Sequence, residues 1–92
     1  MTRNAAVATA LLAGLALASA AHAATLDGDA ERGAQAYERL CAECHANVGR
    51  LVRRLEGADD AEKARNLEAF LPLHYAEDDQ ERADVIAYLL AQ

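Results

Sequence analysis

The sequence has few of the residues that build a large hydrophobic core. Its 92 residues include no tryptophan, one phenylalanine, three tyrosines, one proline and two cysteines. A disulfide between cysteines only three positions apart would close a very small loop and stabilise little. Small domains usually supplement their side-chain core with a covalent cross-link or a bound group. The composition therefore predicts a single small domain that depends on a large apolar group for its stability.

Basic residues are also scarce. Nine Lys and Arg residues stand against 15 Asp and Glu residues, which gives a net charge of −6. An acidic chain repels the phosphates of nucleic acids and of anionic lipid surfaces. We therefore expect no nucleic-acid partner. The acidic residues form no recognisable catalytic constellation either, so we expect a protein that is not an enzyme.

Residues 1–23 have the pattern of a secretory signal peptide. Arg3 supplies the positive start, Ala5–Ala18 supplies an apolar run, and Ala21-His22-Ala23 supplies a cleavage site of the A-x-A kind. Cleavage after Ala20 is the alternative. We expect a leader that is removed on export.

A retained transmembrane anchor is the other interpretation of this leader. It is disfavoured because the apolar run is shorter than the roughly 20 residues that a membrane span needs, and it consists mainly of alanine. Cleavage would leave one domain, residues 24–92, which we expect in a bacterial periplasm and not inserted in a membrane.

The rest of the sequence has no strand-like alternation and predicts an all-α domain. Apolar residues recur at helical spacing, and Asp29, Asp59 and Asp78 precede them as helix caps. Pro72 interrupts the pattern and ends a helix. Four helices are expected: Ala30 to the segment at Cys41, Arg50–Glu56, Asp59–Leu71 and Asp79–Ala91.

The same spacing predicts the inner faces of these helices. Gly33 and Tyr37 should face inward in the first helix, where a glycine permits the close approach of another helix. The expected inner residues of the third helix are Ala64, Leu67, Phe70 and Leu71, and those of the last helix are Ala83, Ile86, Ala87, Tyr88, Leu89 and Leu90.

The most informative motif is Cys41-Ala42-Glu43-Cys44-His45. Two cysteines two residues apart, with a histidine directly after the second, are the attachment signature of c-type haem. The thiols of Cys41 and Cys44 would add to the two haem vinyl groups. His45 would then lie under the ring as the proximal ligand of the iron. The motif predicts one covalently bound haem c.

In layout the chain resembles a single-haem class I cytochrome c. That family places CxxCH near the start of the domain, after a helix with a small residue, and crosses it with a C-terminal helix that carries an aromatic residue. Gly33 and Tyr88 fit those two positions. The resemblance implies about four short helices wrapped around the haem, and a protein that carries single electrons in the periplasm.

Two features depart from that family. Its usual Gly-Pro segment after the motif is replaced here by Val48-Gly49-Arg50, so the partner of the proximal histidine is not identified. Its usual sixth ligand is a methionine before the last helix, whereas the only methionine here is Met1. Methionine ligation is excluded once the leader is removed.

His74 is the expected distal ligand of the iron. It lies in the loop before the last helix, where the resembling family has its distal ligand, and the preceding proline breaks the backbone there. Lys63, Tyr75, Asn66 or no side chain at all are the alternatives. Ligation by two histidines should lower the reduction potential relative to methionine ligation and suits electron transfer.

Two other functions compete with the electron carrier. A haem-based sensor or small-ligand binder would have an open or displaceable distal site. A haem-free protein would use Cys41, Cys44, His45 and His74 to hold zinc, or would use the CxxC pair for redox chemistry in a sheet-based fold.

Charge predicts the surroundings of the haem and the kind of partner. Arg50, Arg53 and Arg54 are candidates to neutralise the haem propionates, because guanidinium groups bind carboxylates in a bidentate manner. A solvated basic face is the alternative. Since the chain is acidic, we expect a protein redox partner with a basic docking face, whose association weakens with salt.

Overall fold

Residues 26–92 are described by the computed structural model. They form four α-helices and one 3-10 turn, and no strand occurs within this range. The helices are α1 (Ala30–Leu40), α2 (Val48–Val52), α3 (Asp60–Phe70) and α4 (Asp79–Leu90), and the 3-10 turn is Leu71–Leu73. The prediction of an all-α domain with four helices is confirmed.

The predicted leader, residues 1–23, lies outside the described residues. Across residues 26–92, no helix has the length and apolar character that crossing a membrane demands.

The three longer helices begin where the sequence predicts. Asp29, Asp59 and Asp78 each accept a hydrogen bond from the backbone N–H three residues later, at 2.8–2.9 Å. Such a bond satisfies one of the N–H groups that a helix start leaves without a partner, and a carboxylate also favours the positive end of the helix dipole. Local capping chemistry therefore sets these three boundaries.

Helix α2 differs from its prediction. It was expected over Arg50–Glu56 and instead covers Val48–Val52. The reason is Asn47, whose side-chain oxygen accepts a hydrogen bond from the backbone N–H of Arg50 at 2.9 Å and starts the helix early. Asparagine is a strong N-cap residue, and this signal was missed in the sequence.

Helices α1 and α4 pack closely at Gly33. A Cβ atom added at this glycine would overlap the backbone carbonyl of Asp84 and lie 2.7 Å from the Cβ of Tyr88. One turn later, the rings of Tyr37 and Tyr88 have centroids 5.5 Å apart. The expectation that Gly33 permits the close approach of another helix is confirmed.

The buried core joins α1, α3 and α4, and most of its residues were predicted. The buried Ala36, Ala76 and Val85 were not predicted, and Phe70, which was expected to face inward, is 55 % exposed. It stands at the end of α3 beside His74, at the edge of a cavity described below. The buried apolar residues are Ala36, Tyr37, Leu67, Leu71, Ala76, Val85, Ile86 and Leu89.

A buried carboxylate supports the contact between α1 and α4. Asp84 is 4 % exposed and accepts hydrogen bonds from the backbone N–H of Asp29 (2.8 Å), from Nε of Arg32 (3.0 Å) and from Nε2 of Gln80 (3.0 Å). The hydrogen bond from Arg32 is the main reason that the pKa of Asp84 is lowered, against the opposing effect of burial. These bonds compensate the cost of burying the charge.

A buried guanidinium holds the segment before α4. Arg82 donates from Nη1 to the carbonyl oxygens of Ala76 (3.1 Å) and Glu77 (3.0 Å), and from Nε to Glu68 at 2.8 Å. Its Nη2 donates to Asp79 at 2.6 Å. These hydrogen bonds, led by those to Asp79 and Glu68, raise the pKa of Arg82. Arg82 thereby fixes the chain directly after His74 to both α3 and α4.

Candidate functional site

The CxxCH segment continues the end of α1 as a tight turn. The backbone N–H groups of Cys41 and Ala42 both donate to the carbonyl of Tyr37, at 2.8 and 2.9 Å, and the N–H of His45 donates to the carbonyl of Cys41 at 2.8 Å. Cys41 is half-buried, and burial raises the pKa of its thiol. Cys44 is exposed, and neither cysteine is in a disulfide.

Tyr37 holds His45, the expected proximal ligand, from inside the core. Its ring is almost fully buried, and its hydroxyl donates a hydrogen bond to the backbone carbonyl of His45. Burial raises the pKa of Tyr37, so the hydroxyl stays protonated and remains a donor. A buried tyrosine hydroxyl needs such a partner. Helical spacing predicts the inward position of this ring, and the bond to His45 was missed, although the buried position of a polar group was a signal for it.

The loop that carries His74 is built by the 3-10 turn. Pro72 lies inside this turn, and the backbone N–H groups of His74 and Ala76 both donate to the carbonyl of Leu71, at 2.9 and 3.1 Å. Tyr75 then takes a left-handed backbone conformation with φ of 69°, which is uncommon for a residue with a side chain. The combination turns the chain sharply at His74.

Aromatic rings flank the side chain of His74. The ring of Phe70 stacks on it at a centroid distance of 4.5 Å, and the ring of Tyr75 meets it edge-on at 5.1 Å. Phe70 and His74 share one face because they are four residues apart across the junction of α3 and the 3-10 turn. The imidazole is therefore held between two rings at the surface of the domain.

A cavity of about 500 Å³ opens between the CxxCH turn and this loop. This volume lies within the range of about 300–1,000 Å³ that is typical of ligand and cofactor sites. Its lining is mostly apolar and comes from α2, α3 and α4, from the 3-10 turn, and from the segments between the helices. The lining residues are Cys41, His45, Leu51, Arg54, Leu55, Glu56, Asn66, Leu67, Phe70, Leu71, His74, Val85 and Leu89.

Both candidate ligands of the iron line this cavity. The imidazole rings of His45 and His74 have centroids 6.4 Å apart, with their planes inclined by 56°. Two imidazoles that bind one metal ion from opposite sides, each through a nitrogen about 2.0 Å away, have ring centres about 6 Å apart. With Cys41 also in the cavity wall, the residues present fit a haem held between two histidines.

The other candidates for the distal position are placed less favourably. Asn66 lines the cavity, but its side-chain amide donates to the carbonyl of Glu56 at 2.8 Å. Tyr75 is 71 % exposed and does not line the cavity. Lys63 is likewise not among the residues that line it. Of the side chains considered for this role, His74 is the one that lines the cavity with its ring centroid 6.4 Å from that of His45.

A smaller cavity of about 310 Å³ adjoins the other side of the CxxCH turn. Cys44, Arg50 and Arg54 line it, and Arg54 lines the larger cavity as well. Arg53, the third arginine of the predicted basic group, lines neither. Two of the three arginines therefore lie where they can meet an anionic group beside the motif.

The haem-free alternatives find no support in residues 26–92. In this range no three side chains of His, Cys, Asp or Glu gather as a metal ion requires, so the proposed zinc set of Cys41, Cys44, His45 and His74 does not form. The same residues contain no strand, which removes the sheet that a thioredoxin-like CxxC motif needs.

Comparison with protein-family models, with curated proteins and with solved structures finds no significant match to this chain. The function of the chain is therefore inferred from the chemistry of the cavity and of the CxxCH turn.

Proposed function

We propose that this protein is a periplasmic c-type cytochrome that carries single electrons on one covalently bound haem. The observation that carries the proposal is the pair of histidine rings, His45 and His74, which face one apolar cavity with centroids 6.4 Å apart. Cys41, in the wall of the same cavity, and Cys44 provide the two thiols of an attachment motif.

Each residue of the site has a distinct role in this proposal. Cys41 and Cys44 form the thioether bonds, His45 binds the iron from the proximal side and His74 from the distal side. When bound, the haem supplies an iron that changes between the ferric and ferrous states. The fold would then be cytochrome c-like, with α1 and α4 crossing next to the attachment turn.

The surroundings of the two histidines suit electron transfer. Apolar residues such as Leu67, Val85 and Leu89 line the cavity and give it an apolar wall. Two strong ligands on opposite sides leave no coordination position for a substrate, and imidazole in place of methionine lowers the reduction potential. Tyr37 and Arg82 fix the segments that carry the two histidines, which limits their movement when the charge of the site changes.

The test is to produce the full chain in a bacterial host that carries the haem-attachment machinery. We expect the exported protein to gain the mass of one haem. In the ferrous state it should have sharp low-spin absorption bands that do not change when carbon monoxide is added. His74→Ala should become high-spin and bind carbon monoxide, whereas the matched variant Lys63→Ala should behave like the parent.

Exported protein without covalent haem would contradict the proposal. A His74→Ala variant with the spectrum of the parent would contradict the distal ligand alone.

A second candidate function, a haem-based sensor with a displaceable distal ligand, is favoured by one observation. Tyr75, adjacent to His74, has a φ of 69°. Such a conformation costs on the order of 1 kcal/mol or more, and this cost would favour release of the loop. Carbon monoxide binding to the ferrous parent protein would select this function over the electron carrier.

A further inference from the structure

An apolar patch lies on the surface next to His74. Leu73 is 93 % exposed, Tyr75 is 71 % exposed and Phe70 is 55 % exposed. The rings of Phe70 and Tyr75 both contact the ring of His74. Grouped exposed apolar side chains mark interaction sites, whereas single ones need no explanation. We call Phe70, Leu73 and Tyr75 the distal apolar patch.

The sequence around the distal apolar patch is acidic, and we call its carboxylates the border of the patch. From residue 66 to residue 81 the sequence has no Lys or Arg. The next cation, Arg82, is buried and already paired with Glu68 and Asp79. The carboxylates of this stretch are Glu68, Glu77, Asp78, Asp79 and Glu81. Glu81 pairs with Arg39 at 2.6 Å, so within residues 26–92 the carboxylates of the stretch that form no ion pair are Glu77 and Asp78.

The surface beside Cys44 has the opposite charge. Arg50 and Arg54 line the smaller cavity together with Cys44, and Arg53 is exposed next to them. A basic partner is repelled from this side and attracted to the acidic one. The distribution of charge thus distinguishes two places where a partner could approach the site.

We propose that the distal apolar patch is the docking surface for a redox protein whose contact face has an apolar centre and a rim of Lys and Arg. This inference rests on the proposed function and identifies the partner class of the same site. A partner seated on the patch contacts the rings that touch His74, which keeps the path for the electron short. One electron leaves this protein and reduces the oxidised centre of the partner, while no bond forms and no proton moves.

The test uses a ferric mitochondrial-type cytochrome c as a basic protein oxidant and ferricyanide as a small anionic oxidant. The second-order rate constant for oxidation of the ferrous, haem-loaded protein is measured with each by stopped-flow absorption. Leu73→Gln removes the most exposed apolar side chain of the patch, and its exposed position leaves the fold intact. Glu77→Gln removes one carboxylate of the border, and Arg53→Gln, at an exposed residue that lines neither cavity, is the matched control on the basic side.

We expect Leu73→Gln to slow the reaction with the basic protein about 3- to 10-fold, as loss of a central apolar contact does in other interfaces. Its rate with ferricyanide should equal that of the parent. Glu77→Gln should slow the reaction with the basic protein at low ionic strength and lose this effect in high salt. Arg53→Gln should leave the rate with the basic protein unreduced.

Two results would overturn the proposal in distinguishable ways. If Leu73→Gln reacts with the basic protein as fast as the parent, or if it reacts equally slowly with ferricyanide, the patch is not the docking surface and the proposed function stands. If the parent protein carries no covalent haem, the proposed function fails and this inference fails with it.

Discussion

The hydroxyl of Tyr37 donates a hydrogen bond to the backbone carbonyl of His45. This bond spans the whole CxxCH turn, because Tyr37 precedes the motif and His45 ends it. It ties the residue proposed as proximal ligand to the buried face of α1. A replacement at Tyr37 therefore acts on the site through the backbone of the ligand.

Tyr37→Phe should destabilise the protein while keeping the packing of the ring. The carbonyl of His45 loses its donor in a partly buried position, and such a loss costs about 1–3 kcal/mol. Denaturant unfolding of the haem-loaded protein measures the change, and the electron paramagnetic resonance spectrum of the ferric protein should also shift because the proximal imidazole is less well oriented.

Tyr88→Phe is the matched control for this prediction. The ring of Tyr88 packs against that of Tyr37, with centroids 5.5 Å apart. The control variant therefore removes a hydroxyl group from the neighbouring ring. A Tyr37→Phe variant that matches Tyr88→Phe in both stability and spectrum would show that the bond to His45 has no positioning role.

Gly33→Ala should weaken the packing of α1 against α4. The added methyl group would overlap the carbonyl of Asp84, which belongs to the backbone of α4 and cannot turn aside. Overpacking of this kind costs about 1–3 kcal/mol, and this cost exceeds the gain in helix propensity of about 1 kcal/mol. We expect a lower midpoint of thermal unfolding.

The control for Gly33 is Gly49→Ala in α2. A Cβ atom at Gly49 would meet its nearest neighbour, Oδ1 of Asn47, at 3.4 Å, which is close to an ordinary contact. This variant should be neutral or slightly more stable. Equal stability of the two variants would contradict the close approach of α1 and α4.

Features that depend on neighbouring residues in the sequence were predictable, and those that depend on tertiary contacts were not. The aspartate caps and the CxxCH turn are set within three or four residues, so their positions followed from the sequence. The burial of Arg82 and Asp84 was missed, because each is satisfied by partners that only the fold brings near. Phe70 was expected inside because helical spacing does not show that α3 ends beside a cavity.

Asp84→Asn should lower stability in a pH-dependent manner. The native pKa of Asp84 is below the ordinary value of 3.8, mainly because of its hydrogen bond from Arg32. A lowered native pKa means that the carboxylate stabilises the fold fully above that ordinary value and loses this contribution as the pH falls through the native pKa. The variant should therefore be less stable than the parent near neutral pH, by about 1.5–3 kcal/mol for a hydrogen-bonded charge, and the difference should shrink in acid.

Unfolding midpoints of parent and variant between pH 7 and strongly acidic pH check this prediction. Asp27→Asn, a change of the same charge at an exposed position, is the control and should follow the parent throughout. A difference between Asp84→Asn and the parent that stays constant with pH would contradict the role assigned to the carboxylate.

Arg82→Gln should disturb the distal side of the site more than the proximal side. Arg82 donates to the carbonyl oxygens of Ala76 and Glu77, the residues that follow the loop of His74. Without these bonds the loop is free to move away from the cavity. We expect a loss of about 1.5–3 kcal/mol in stability, together with partial high-spin character and carbon monoxide binding in the ferrous protein.

Arg65→Gln, at an exposed position of α3, removes the same charge without touching the loop and should retain the low-spin spectrum. The stability of Arg82→Gln and the spectrum of its ferrous form together separate a structural role of Arg82 from a positioning role. Lower stability with unchanged spectra would mean that Arg82 only joins α3 to α4 through Glu68 and Asp79. Carbon monoxide binding by Arg82→Gln, under conditions where the variant remains folded, would show that the guanidinium helps to hold His74 at the iron. Arg82 acts on the segment after His74 through its hydrogen bonds to the carbonyl oxygens of Ala76 and Glu77.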